Sequence, residues 1–335
     1  MKTIRTTTQF RTLVPSTGYR QHIQQGRTDI RNIIHAQDSR FLLFVGPCSI
    51  HDTEAGLDYA RKLAQIKTIV DPKILLVMRT YLEKPRTIGG WTGLAYDPYL
   101  SLNGGSDIDA GIKLSREYLR EVNTLGLHTT SEILDPALTS FFEDFLVCGS
   151  VGARTVESQP HRHLVSGLDF PVGFKNSTHE STGLHAVDAI RCAQGSHARL
   201  HINNNGKFVT SHTRGNPDCF VILRGSDVGP NYDRESVERT TQLLSRHSLN
   251  QGLVVDCSHG NSGKDHTKQA EALSSVVDQR VAGNKRIVGA MLESFLEPGR
   301  QDIGSNLRYG VSVTDACIGW KETEELILET YEMLR

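Results

Sequence analysis

The chain has 335 residues, with 37 Lys plus Arg against 38 Asp plus Glu and a net charge of −1 at pH 7. A hydrophobic share of 38% and a charged share of 22% describe a globular protein with a large core, and the neutral balance excludes an overall field for nucleic acid or an anionic membrane. No apolar run approaches the roughly 18 residues of a membrane helix, and the cysteines (48, 148, 192, 219, 257 and 317) form no CxxC, which points to a reducing, cytoplasmic compartment.

Residues 1–38 read as an N-terminal arm for assembly or regulation. Its first acidic residue is Asp29, so the stretch before it has the basic, Thr-rich composition of a transit segment. The alternation of "KTIRTTTQF" (2–10) favours a structural strand there, followed by a helix. Apolar runs then recur at 41–45, 74–78, 127–134, 150–156, 171–174, 219–223, 253–256 and 286–292. Their near-continuous apolarity suits strands covered on both faces, as in a parallel sheet. Helical patterns lie between and after them, at 54–66, 107–126, 135–147, near 160–167, and at 183–194, 234–248, 265–283 and 321–334. Eight strand–helix units in succession predict an α/β fold, a (β/α)8 TIM barrel, over 39–335. Residues 197–215 fall outside that count and read as a small β-hairpin insertion before the sixth strand, with an Asn-Gly turn at 205–206.

Barrel active sites lie at the C-terminal ends of the strands. In chain order those ends deliver Cys48, Arg79, Glu132, Arg154, Lys175, Arg224, Asp256 with His259, and Glu293. Cys48, His259 and Glu293, with Asp315 further on, offer sulfur, nitrogen and oxygen donors that suit one divalent transition metal such as Mn, Fe, Co or Zn. Taken singly, each has an ordinary reading: a packed thiol, a loop donor, a salt-bridge partner. Their shared placement on one rim carries the metal reading. Arg79, Arg154, Lys175 and Arg224, with Lys84 and Arg86 of "EKPRT", gather positive charge on an otherwise neutral protein, which calls for a strongly anionic ligand. Solvated ion pairs are the ordinary alternative. They suit Lys175 and Arg224 poorly, because both emerge directly from core strands.

The motifs "GPCSIHD", "MRTYLEKPRT", "GARTVESQ", "PVGFKN", "ILRG", "DCSHGNS", "MLES" and "SVTDACIGW" occur in that order. From about residue 40 to the end, the chain resembles the class I 3-deoxy-D-arabino-heptulosonate-7-phosphate (DAHP) synthases. That family condenses phosphoenolpyruvate with erythrose 4-phosphate at the start of the shikimate pathway. The resemblance implies that Cys48, His259, Glu293 and Asp315 hold the metal. It implies that Arg79, Glu132, Arg154, Lys175 and Arg224 bind phosphoenolpyruvate, and that Lys84, Pro85, Arg86 and Thr87 bind erythrose 4-phosphate. Lys84 is the candidate proton carrier near the aldehyde. An aromatic amino-acid effector near the hairpin and 163–170 is a further expectation, although His201 and Asp169 put bulk and charge there. The expected assembly is a homodimer or homotetramer. Two rivals stand beside this reading: a Schiff-base aldolase with Lys175 as nucleophile, and a phosphosugar sensor without turnover.

Overall fold

The computed structural model describes residues 3–86, 88–101 and 106–334. The barrel strands are β1 (Phe41–Gly46), β2 (Ile74–Arg79), β3 (His128–Glu132), β4 (Cys148–Val151) and β5 (Val172–Lys175). An inserted hairpin, β6 (Ala198–Ile202) and β7 (Phe208–His212), precedes β8 (Cys219–Leu223), β9 (Leu253–Asp256) and β10 (Ile287–Glu293). Among the described residues, eight parallel strands close in the order β1-β10-β9-β8-β5-β4-β3-β2. Register Gly46↔Glu293 and Val45↔Met78 seals β1 between β10 and β2. Every residue of β1, β2 and β10 is buried, as a helix-wrapped barrel over a filled interior requires.

The outer layer comprises α3 (Thr53–Val70), α4 (Ile108–Thr124), α5 (Thr139–Phe142), α6 (Gln159–Val165), α7 (Leu184–Ala193), α8 (Arg234–Arg246), α9 (Gln269–Val281) and α10 (Trp320–Met333). Helix starts follow local chemistry. Asp52 caps α3 by accepting from the Glu54 and Ala55 amides, and Asp107 and Asp233 cap α4 and α8. The acidic residue of "GPCSIHD" is thus a helix cap beside the site.

Three expectations need correction. The stretch 2–10 carries α1 (Thr7–Leu13) where a strand was expected. Thr6 Oγ1 accepts from the Gln9 amide and the Gln9 side chain accepts from the Thr6 amide, a Thr-x-x-Gln capping box that outweighs the alternation. The helix expected over 135–147 shrinks to the single turn of α5. Arginines supply donors to its carbonyls in place of further helical bonds: Arg11 to Ser140 O (2.9 Å), Arg27 to Glu143 O (2.7 Å) and Leu146 O (3.0 Å), and Arg116 to Phe141 O. The fourth strand ends at Val151 and not at 156, so Arg154 sits in the following turn.

The remainder of the arm is α2 (Arg20–Ile34), which crosses the N-terminal ends of the barrel strands. Its His22 ring stacks on His128 at 4.3 Å at the start of β3. Arg31 (2.6 Å) and His35 (3.0 Å) both reach Asp218, just before β8. A Cβ at Gly26 would stand 2.6 Å from the His128 ring, so glycine permits this close approach.

Candidate active site

The barrel gathers the expected groups at its C-terminal mouth. Cys48 follows the β1 turn and is buried; Arg79, Glu132, Lys175, Asp256 and Glu293 are the last residues of their strands. Cys48, Glu293 and Asp315 place one ligand atom each within 4.8 Å of the others. His259 borders this trio, with Nε2 3.6 Å from Glu293 Oε1. Its other nitrogen, Nδ1, is 3.1 Å from Asp256 Oδ2 and 2.8 Å from Ser258 Oγ, which fixes the ring. His259 takes a left-handed backbone (φ 57°), an uncommon conformation that aims the imidazole inward.

Lys84 lies among these donors. Its Nζ donates to Cys48 Sγ at 2.9 Å and to Asp315 Oδ2 at 2.8 Å. Burial pushes the Cys48 thiol up to about 12, and Glu293 and Asp315 add to this against Lys84. Cys48 Sγ also lies 3.4 Å from Asp315 Oδ2, within hydrogen-bond reach. Burial would lower the Lys84 amine, but Cys48, Asp315 and Glu293 overcome it and hold the ammonium charged. Burial works to raise the Asp315 carboxyl, and Lys84 overcomes that in turn, holding it below the usual carboxylate range. The donor set therefore fits a divalent transition metal. It combines sulfur, imidazole nitrogen and carboxylate oxygen, and it already collects a positive charge at its centre.

Two buried ion pairs flank the trio. Arg79 Nη2 donates to Glu293 Oε1 at 2.9 Å, and Lys175 Nζ donates to Asp256 Oδ2 at 2.9 Å. Tyr81 lies between the cations, its ring centre 4.1 Å from the Arg79 guanidinium and 5.9 Å from Lys175 Nζ. Burial would lower the Lys175 amine, yet Asp256 raises it, so this lysine stays protonated. Among the described residues Arg224 makes no salt bridge, although it is only 7% exposed. Burial pulls its guanidinium below the usual arginine range. Such a cation is stabilised by an anion entering the mouth.

A cavity of about 260 Å³ opens above these groups, lined by Lys84, Pro85, Glu132, Arg154, Lys175, Arg224, His259, Glu293 and Asp315. A Cβ at Gly152 would meet Glu132 Oε1 at 2.2 Å, so glycine lets this carboxylate lie along the wall. Cys48 and Arg79 form the floor, fully buried. Arg86 is not brought to the cavity: it is exposed and donates to the Trp91 carbonyl at 2.8 Å. Thr87 lies outside the described residues. Lys264, His266 and Arg300 also line the cavity and were not anticipated. They come from loops after β9 and β10, which no periodicity flags. Gln269 was also missed; buried, it accepts from the Glu293 amide (2.8 Å) and donates to its carbonyl (2.9 Å), locking the end of β10.

A closed parallel barrel whose mouth joins a sulfur–nitrogen–oxygen donor set to a buried cation cluster defines an α/β-barrel enzyme of small anionic substrates. The chain belongs to the DAHP synthetase I family, which matches residues 16–328. It is 42% identical over 322 residues to the tyrosine-inhibited phospho-2-dehydro-3-deoxyheptonate aldolase of Schizosaccharomyces pombe, covering 94% of this chain and 86% of that protein. It is 43% identical over 315 residues to the Tyr-sensitive enzyme of Escherichia coli K12, covering 93% and 87%. A solved structure of the corresponding aldolase from Francisella tularensis superposes with a TM-score of 0.96 at 38% identity, covering 100% of this chain and 97% of that one.

Proposed function

We propose that this chain condenses phosphoenolpyruvate with erythrose 4-phosphate and water to give DAHP and phosphate. The observation that carries this reading is the buried Arg224 beside the Lys175–Asp256 pair, facing the cavity over the Cys48/Glu293/Asp315 trio. Lys175, Arg224 and Arg154 would hold the carboxylate and phosphate of phosphoenolpyruvate. Arg79 would support them from beneath and Glu132 would line the wall. Lys84 and Pro85 stand where the four-carbon aldehyde would enter, and Arg86 and Thr87 complete the expected erythrose 4-phosphate segment. Cys48, His259, Glu293 and Asp315 would hold one divalent metal, identity open among Mn, Fe, Co and Zn. When bound, it would supply Lewis acidity for the aldehyde oxygen.

The chemistry follows from positioning. The cations neutralise one carboxylate and two phosphate groups and align C3 of the enol ether with the aldehyde carbon, meeting much of the barrier by orientation. Carbon–carbon bond formation puts charge on the aldehyde oxygen, and the Lys84 ammonium is placed to deliver a proton there. Water adds at C2, and the C2–O bond breaks to release phosphate. The Schiff-base rival needs a neutral amine, which the Lys175–Asp256 pair disfavours.

The relatives named above carry tyrosine-inhibited and Tyr-sensitive in their names. We extend an aromatic amino-acid effector to this chain, seated in a groove of about 1110 Å³ between the hairpin and α5, with His201 and Asp169 on its walls. The homodimer or homotetramer belongs to the same reading and is checked by sedimentation. Among the described residues no helix is long and apolar enough to cross a membrane.

The deciding experiment measures phosphate release from the two substrates, with and without chelation, for wild type and Cys48→Ala. The reading expects turnover that chelation abolishes and Mn²⁺ restores in wild type alone. Turnover indifferent to chelation would remove the metal role of Cys48.

A further inference from the structure

Outside the barrel mouth a second group of soft donors converges. His163 on α6, Cys192 on α7 and His197 at the foot of the hairpin each bring a ligand atom within 4.8 Å of the others. The two imidazoles stack with centroids 4.1 Å apart and planes 19° from parallel. Cys192 Sγ is 3.7 Å from His197 Nε2. Tetrahedral zinc, with bonds of about 2.3 Å to sulfur and about 2.05 Å to nitrogen, sets a sulfur–nitrogen edge of about 3.6 Å, so this edge is already at ligand spacing. All three side chains are half-buried, which leaves a path for an ion to enter. Gln159 stands one turn before His163, its Nε2 2.7 Å from His163 Nε2 and 3.7 Å from Cys192 Sγ, and marks the open fourth direction.

The donor types select the ion. One thiolate and two imidazoles favour zinc over hard cations such as Mg²⁺ or Ca²⁺, which require oxygen ligands. Cys192 also differs from Cys148, Cys219 and Cys257, which are buried in the core and serve as packing. In the structure His197 Nε2 bonds the Cys192 carbonyl at 2.7 Å. Binding at Nε2 exchanges that hydrogen bond for a metal bond, and the Cys192 thiol proton leaves to solvent.

We propose that His163, Cys192 and His197 form a second, zinc-selective site that fastens the hairpin to the outer helices. His197 immediately precedes β6, and its carbonyl accepts from the Thr213 amide at 2.8 Å just after β7. Cys192 and this foot are neighbours in the chain, five residues apart, and His163 would tie both to α6, a separate helix earlier in the sequence. Zinc there holds the hairpin, and with it one wall of the 1110 Å³ groove, against the barrel.

The test uses Co²⁺ as a spectroscopic stand-in for zinc in the full chain, in a Cys48→Ala background that removes the expected thiolate ligand of the mouth. The difference between Cys48→Ala and Cys48→Ala/Cys192→Ser is independent of what the mouth binds. The expected result is a thiolate-to-cobalt charge-transfer band in the single variant that disappears in the double variant, with loss of one zinc equivalent in direct metal analysis. Cys48→Ala/His163→Gln, at a half-buried position, supplies a second variant and should weaken or abolish the same band. Zinc should also slow proteolytic nicking within 203–207 in Cys48→Ala and not in the double variant. No band in Cys48→Ala, or an unchanged band without Cys192, would overturn the site.

Discussion

Lys84 is where the charges of the mouth meet. It touches Cys48 and Asp315, residues 36 and 231 positions away, and both contacts hold it protonated. Lys84→Met should therefore remove a proton donor as well as a cation. We expect turnover to fall by about 10²–10⁴-fold with folding retained, checked by single-turnover phosphate release. The Lys175–Asp256 pair has a different weight, because both members are almost fully buried. Lys175→Met removes the ammonium paired with the buried Asp256 carboxylate, leaving it to Ser258 and His259, and should cost about 3–5 kcal/mol in urea unfolding. Lys175→Met/Asp256→Asn should recover part of that loss while staying inactive. Additive losses would mean that the pair is not coupled. Sequence reasoning found these residues because strand ends are legible. It could not pair them, and it could not foresee that Arg86 lies exposed and bonded to the Trp91 carbonyl, since loop conformation beyond Lys84 carries no periodic signal.

At the scale of elements, α2 shows how the arm is held. Gly26→Ala should gain up to about 1 kcal/mol of helix propensity. Its new Cβ would stand 2.6 Å from the His128 ring and 2.7 Å from Val147 Cγ1, and overpacking of that kind costs about 1–3 kcal/mol. The clash should win, and Tm should fall; Gly26→Ala/His128→Ala should restore part of it. His128 also makes this docking sensitive to acid. Burial, with His22, Lys67 and Arg40 adding, pushes its imidazole down to about 3 from 6.5. A base whose folded value is depressed contributes stability that is complete above 6.5 and lost as pH falls toward 3. From pH 7 to pH 5 the loss is about 2 kcal/mol, and His128→Gln should flatten that slope in thermal melts.

For the whole molecule, the barrel and the hairpin are separable in design. The hairpin forms its own two-stranded sheet and adds no strand to the barrel. Replacing 198–212 with a short flexible turn should leave basal turnover within about threefold and abolish any response to aromatic amino acids, read by inhibition curves. Loss of basal turnover would show instead that the hairpin supports the mouth. The barrel itself was legible because most of its buried parallel strands are unbroken apolar runs that end at polar or glycine-containing turns. The third and fourth strands were overextended, because "SEIL" and "ARTV" continue an apolar pattern that the turns after Glu132 and Val151 interrupt.

Sequence alone determined the class of fold, the end of the barrel that carries chemistry, and the residue types on its rim. Those are short-range properties: an apolar run, a cap, a charge at a strand end. Tertiary structure decided what stands opposite what. The contact of Cys48 with Asp315 spans 267 positions and that of Arg79 with Glu293 spans 214, and each depends on closing β1 onto β10. The arginine-tethered 140–146 stretch and the His163/Cys192/His197 group were decided in the same way. Burial and long-range donors, which no local window contains, outweigh local propensity at those places.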